Sequence, residues 1–311
     1  MRRGIAITPM ETRGDVIVRA ARLADELGYE VFSVAEGWGL DAAVVLAELA
    51  VTTRRIRLMA GVFSVWGRSP ATIAMTAASL HRLSGGRFVL GLGASTRQLA
   101  EGWHDVAYER PAARLREVTT QVRGLLAGER ARTSVAPSVR ALRLGQPPAP
   151  EVPIWLAAAR ERTVGVAADL ADGWYPIYLR RERIRKLAAG FSRPVTIGAG
   201  PFTVVDPDVG VARAAVAACT AGYLGAMGDV YPRLVAEQGL APEVDLVRAT
   251  RTVPAAAQAL LDEFTVYGSA AAVRQGLEQW DDTLDITLVG LPPGLPWPTI
   301  EATLHAAAPA R

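Results

Sequence analysis

Apolar residues recur along this chain with two alternating spacings. Short β-rich runs, as in a buried strand, are each followed by a stretch whose apolar positions fall three and four apart, as in an amphipathic helix. Residues 4–7 lead into 13–27, where Val16, Ala20, Leu23, Ala24 and Leu27 share one face and Gly28 marks the stop. The unit recurs as strand 31–34 before helix 41–51, strand 56–62 before helix 70–83, and strand 88–92 before helix 111–126. It continues with 154–157 before 161–170, with 173–177 before 181–189, and with 195–198; a last strand at 285–289 precedes a helix from 298 to about 305. Eight strand candidates with helices between them predict an α/β chain folded as a (β/α)8 TIM barrel. An open doubly wound sheet stays as the alternative, because periodicity does not report closure.

Two segments break the rhythm. Residues 127–152, with Pro137 and the Gln146-Pro147-Pro148-Ala149-Pro150 run, read as a loop or hairpin insertion after the fourth helix. Residues 204–266 read as mostly helical and too long for one crossover, so they are taken as the seventh crossover plus an insertion after strand 7, near the barrel mouth. No further tandem repeat and no flexible linker is visible, and the expectation is one domain over residues 1–311.

Composition narrows the function. Half of the residues are apolar and 21% are charged, which excludes a disordered chain, a collagen-like repeat and a disulfide-stapled miniprotein. The formal charge is +3, with arginines spread along the chain and no basic block, so nucleic acid is a poor partner. Lys186 is the sole lysine beside 33 arginines, which we read as the composition bias of a high-GC genome. Cys219 has no intramolecular disulfide partner and fits a reducing compartment. Residues 1–14 lack the apolar run of a signal peptide, and the longest uncharged window, 214–228, is too short to span a bilayer. A soluble, cytoplasmic protein without a membrane or nucleic-acid partner is expected.

In a barrel of this kind the active site lies at the carboxyl ends of the strands. This chain places Glu36-Gly37-Trp38, Gly61-Val62-Phe63-Ser64, Gly93-Ala94-Ser95-Thr96, Ala157-Ala158-Ala159-Arg160 and Pro176-Ile177-Tyr178 there in turn, followed by glycine-rich ends at 198–201 and 290–294. Small residues at nearly every strand end allow backbone to approach a large planar ligand; tight turns are the alternative explanation. The chain carries no Walker A sequence, no complete G-x-G-x-x-G fingerprint, no H-E-x-x-H and no cysteine cluster, and a catalytic triad has no G-x-S-x-G support. His81, His104 and His305 are scattered, so no metal site is expected. Redox chemistry would fall to an organic cofactor.

The run Arg68-Ser69-Pro70-Ala71-Thr72-Ile73-Ala74-Met75-Thr76-Ala77-Ala78-Ser79-Leu80, with Leu83-Ser84-Gly85-Gly86-Arg87-Phe88-Val89-Leu90-Gly91-Leu92-Gly93, strongly resembles the bacterial luciferase-like superfamily. Within it, the chain is most similar to coenzyme F420-dependent oxidoreductases related to methylenetetrahydromethanopterin reductase. Glu36 to Asp41, Glu101 to His104, Arg114 to Glu117 and Ala171 to Pro176 agree as well, so the likeness covers residues 4–178 nearly continuously and 268–294 more weakly. It implies a luciferase-like TIM barrel with F420, a deazaflavin whose C5 carries a hydride, lying across the mouth. By this resemblance a non-prolyl cis peptide falls at Gly61-Val62, followed by Phe63, and supports the ring from behind. Gly93, Ala94, Ser95 and Gln98 would face the ring's polar edge, and Ala157, Ala158, Ala159 and Arg160 the phosphate-bearing tail, with Trp174 also on the cofactor side.

For proton transfer the candidates are Glu36, placed at a strand end in a patch with few other charges, and its neighbour Trp38; desolvation there would raise the carboxyl pKa. A structural role for Glu36 at the helix start near Asp41 is the alternative. Some related F420 enzymes carry a histidine where this chain has Gly37 or Trp38, and an acid where it has Ala94. A lysine-containing loop that often follows the stretch resembling Tyr223 to Gly228 is shortened to Asp229-Val230-Tyr231. The reading is therefore an F420-dependent reductase that transfers hydride from F420H2 to a C=C or C=N bond of a small-molecule or peptide-derived intermediate, with a dehydroamino acid or imine as examples. An FMN-dependent monooxygenase of the same superfamily and a noncatalytic flavin-binding barrel are the alternatives. A homodimer through the helices after strands 2 and 3 is expected from the family.

Overall fold

The computed structural model describes residues 1–132 and 138–310. All eight expected strands are present and closed into a parallel barrel: β1 (Arg3–Ile7), β2 (Val31–Val34), β3 (Arg57–Ala60), β5 (Phe88–Gly93), β6 (Ile154–Ala157), β7 (Gly173–Tyr175), β8 (Thr196–Ala199) and β11 (Ile286–Leu291). β11 returns to β1 in parallel register from Arg3 opposite Thr287 to Ile7 opposite Leu291, which excludes the open sheet. Three further short strands complete the set: β4 (Phe63–Ser64), β9 (Phe202–Val205) and β10 (Thr265–Gly268).

Two apolar layers hold the barrel. Val31, Met59, Val89, Trp155, Ile286 and Leu288 fill its interior, and the helices wrap the outside with a much larger buried set. Helix Pro70–Leu83 shows how the sequence builds that outer layer. Ser69 caps it by accepting from the Thr72 amide, Pro70 occupies the first turn, and Ile73, Ala74, Ala77, Ala78 and Leu80 face inward.

The segment read as mostly helical is bracketed by strands. Between β9 and β10 run helices Val209–Ala226, Val230–Val235, Ala241–Thr250 and Gln258–Phe264. β9 and β10 pair in parallel with each other, and Phe202 joins them to Gly290 of β11. Each strand is only four residues long and its partner lies about sixty residues away, so the helical pattern between them dominates the sequence signal. In the other insertion Arg130 and Arg143 form an antiparallel bridge, as a hairpin would, while Pro137 lies outside the described residues. Among the described residues no single helix is long and apolar enough to cross a membrane.

Asp25 fastens the bottom of the barrel. Its carboxylate accepts from the amides of Arg54, Arg55 and Ile56 at 2.8, 2.9 and 2.7 Å, tying the first helix to the turn that enters β3. Burial alone would raise this carboxyl pKa, but the three amide donors outweigh it and hold the group below its usual value. A carboxyl lowered in the folded state stabilises fully above the unfolded pKa of about 4, and that contribution is lost as pH falls through the folded value. Asp25→Ala is expected to lower unfolding free energy by about 2–4 kcal/mol at neutral pH, with the difference from wild type shrinking in acid, as read by urea denaturation.

Candidate active site

At the carboxyl ends of the strands a cleft of about 1140 Å³, open to solvent, is walled by the loops after β1, β2, β3, β7 and β8 and by the segment between β9 and β10. Gly61 and Val62 are part of its lining, and the peptide between them is cis, at the position expected. The chain resumes there as β4, which pairs with β5 at Phe63 opposite Leu92.

Glycine at 61 answers to the protein's own packing. A Cβ there would sit 1.9 Å from Ser33 Oγ and 3.5 Å from Tyr175 Cε1. Gly200 is similar, since its Cβ would meet the Leu288 carbonyl oxygen at 2.0 Å. The small residues at these two strand ends therefore seat neighbouring elements, a role beside the ligand approach and the tight turns read from the sequence.

Of the expected residues, Glu36, Gly61, Val62, Ser95 and Ala157 line the cleft. Phe63, Gly93, Ala94 and Trp174 are buried behind the wall, where Trp174 Nε1 donates to the Ala158 carbonyl at 2.8 Å. Ala158 and Ala159 are not in the lining, and Trp38 and Gln98 are exposed outside it. Arg160 is half exposed and bound through Nη1 to both carboxylate oxygens of Glu237, at 2.7 and 2.8 Å. Its charge is thus already matched by a residue of the insertion.

Glu36 needs the larger correction, because its surroundings are not poor in charge. Arg68 donates to Glu36 Oε1 at 2.6 Å and Oε2 at 3.2 Å, and also to Asp41 at 2.7 Å. The guanidinium rests 4.7 Å above the centre of the Phe63 ring. Hydrogen bonding to Glu36 is the main reason that the arginine's pKa is raised. Asp41 meanwhile caps the next helix by accepting from the Ala43 amide, so Glu36 does not serve that helix start. Glu36 is therefore a doubly engaged hydrogen-bond acceptor beside a cation, and not isolated in the charge-poor patch expected.

Residues without an assigned role in the sequence reading supply much of the inner wall. Tyr175 at the end of β7 faces Ser33, and burial pushes its hydroxyl up to about 12. Tyr178, with φ of 55°, turns its ring into a cluster with Tyr223 and Tyr231 from the insertion and with Phe202 and Phe264. Burial holds Tyr178, Tyr223 and Tyr231 above the usual phenol range as well, so all four hydroxyls keep their protons at neutral pH. Across the cleft Thr8 Oγ1 is buried without a partner. A cluster of tyrosines at 175, 178, 223 and 231 was the available signal, but nothing in the spacing reveals that they meet.

This arrangement can take a flat ring against the Gly61-Val62 floor, offer it neutral hydroxyl donors and present one paired carboxylate. A sequence profile described as "Luciferase-like monooxygenase" matches residues 2–285. The chain belongs to the luciferase-like monooxygenase family. Within this luciferase-like family, it is 32% identical over 295 residues to a Mycobacterium tuberculosis protein provisionally named a coenzyme F420-dependent oxidoreductase, spanning 83% of this chain and 85% of that one. Its fold is that of the coenzyme F420-dependent tetrahydromethanopterin reductase from Methanopyrus kandleri, with a TM-score of 0.71 and 20% identity over 99% of this chain and 97% of that one. The fold also matches the oxygenating constituent of 3,6-diketocamphane monooxygenase from Pseudomonas putida, solved in complex with FMN, at a TM-score of 0.69 and 14% identity over 99% and 98% of the two chains.

Proposed function

We propose that this protein is a coenzyme F420-dependent oxidoreductase, acting as a reductase on a C=C or C=N bond of a small-molecule or peptide-derived substrate. The observation that supports this most is the 32% identity kept over 83% of the chain with the relative named for F420. The cleft suits such a cofactor, because its floor is formed by backbone and Thr8 Oγ1 lacks a protein partner. Gly61, Val62, Ser95 and Ala157 would hold the ring system, which when bound supplies a hydride.

The chain's own part is orientation and proton handling. Glu36, both oxygens engaged by Arg68, is held in place at the cleft and fixes the position of a donor group. Tyr175 Oη stays protonated across the neutral range and can donate a hydrogen bond to the reacting group, while its raised pKa leaves proton delivery to a water that it orders. Fold likeness to an FMN complex supports the monooxygenase alternative, because a flat floor accepts either ring. Anaerobic assays with F420H2 and a panel of unsaturated ketones and imines separate the two. Loss of reduced cofactor in step with product supports the reductase; oxygen uptake with reduced FMN, and none of this turnover, would falsify it.

We also propose that a second copy covers helices Ala42–Thr52 and Pro70–Leu83, which leave Val44, Val51, Met75 and Leu83 exposed while their other faces are buried. Light scattering should find a dimer, and Val44→Glu with Met75→Glu should yield folded monomers. A wild-type monomer contradicts the proposal.

A further inference from the structure

We propose that the part of the substrate buried in this cleft is uncharged, flat and apolar, and that the tyrosine wall of the insertion selects it. This rests on the oxidoreductase reading above. Among the described residues that line the cleft there is no lysine, arginine or histidine, and Glu36 is the one acidic side chain. Both of its oxygens are taken by Arg68. A carboxylate or phosphate brought to the inner wall meets no cation among the lining residues, and an ammonium meets only a carboxyl group already paired with Arg68. Burying either without a partner is unfavourable.

The aromatic side chains favour a planar partner. Tyr178 is the hub, with ring centres 5.6 Å from Tyr223, 5.5 Å from Tyr231 and 5.3 Å from Phe264. Tyr223 and Tyr231 lie 5.7 Å apart, nearly at right angles. Rings this close pack on one another, so they form a continuous wall and leave no cage between them for a cation. Thr8 Oγ1, buried and unpartnered in the same lining, is available to a carbonyl or an imine nitrogen. A conjugated ketone, amide or imine without a charge near the reacting bond meets all three conditions.

Three ligands with one skeleton test this: cinnamamide, cinnamate and cinnamylamine, titrated calorimetrically at neutral pH into the full chain loaded with F420 and, separately, with FMN. The amide is expected to bind tighter than either ion by about tenfold or more. Tyr231→Leu should weaken the amide by about fivefold or more, whereas Tyr231→Phe, which keeps the ring, should leave it nearly unchanged. Binding of either ion as tightly as the amide, or no binding of the amide, overturns the proposal. If only the FMN-loaded protein forms and the order of affinities holds, the F420 reading falls and this inference stands. If F420 loads and cinnamate is preferred, this inference alone falls.

Discussion

Gly61→Ala is expected to lower kcat/KM by about a hundredfold, the scale of a displacement near one ångström at a reacting centre. The added Cβ would lie 1.9 Å from Ser33 Oγ and 3.3 Å from Ser33 Cβ, inside a packed barrel end where the strand cannot easily withdraw. Relief requires Val62 and the floor of the cleft to move, and overpacking of this kind also costs about 1–3 kcal/mol of stability. The cause can be isolated, because Ser33→Ala removes the clashing oxygen. The double variant Gly61→Ala/Ser33→Ala should recover much of both losses, since a contact of 3.3 Å is tight but close to tolerable. A single variant with wild-type activity, or a double variant no better than the single, contradicts this explanation.

Arg68→Ala carries the second large effect. Glu36 and Arg68 expose only 12% and 15% of their side chains, so removing the guanidinium leaves a mostly buried carboxylate without its two hydrogen bonds. The expected cost is about 2–4 kcal/mol, near the lower part of the range for breaking a buried pair because Asp41, the second partner, is exposed. Loss of the stack on Phe63 adds to it. Glu36→Gln in the same background should narrow the deficit, by removing the stranded carboxylate. Urea denaturation of the single and double variants measures both.

The strands and helices of the barrel were legible because each carries its own period: the run at 4–7 became Arg3–Ile7, and the amphipathic stretch at 13–27 became Gly14–Leu27. Closure was not legible, since it rests on β1 meeting β11 across nearly the whole chain. β9 and β10 were missed because four-residue strands whose pairing partner is remote leave almost no local pattern.

The site divides along the same line. The Gly61-Val62 peptide lay in a motif that could be matched to a family, and it is cis in the structure. The Glu36 environment depended on Arg68, thirty-two residues further on and delivered by the loop before helix Pro70–Leu83, so sequence proximity to Trp38 was a poor guide to its electrostatics. The tyrosine wall joins the end of β7 to the insertion, and no spacing rule links residues 175 and 178 to 223 and 231.

Cofactor identity separates the reductase from the monooxygenase before any substrate is known. The purified protein titrated in parallel with F420 and with FMN, following cofactor fluorescence, should bind F420 with micromolar or tighter affinity and FMN much more weakly. Preferential binding of FMN would overturn the F420 assignment in favour of the monooxygenase, and binding of neither would leave a barrel without the proposed chemistry.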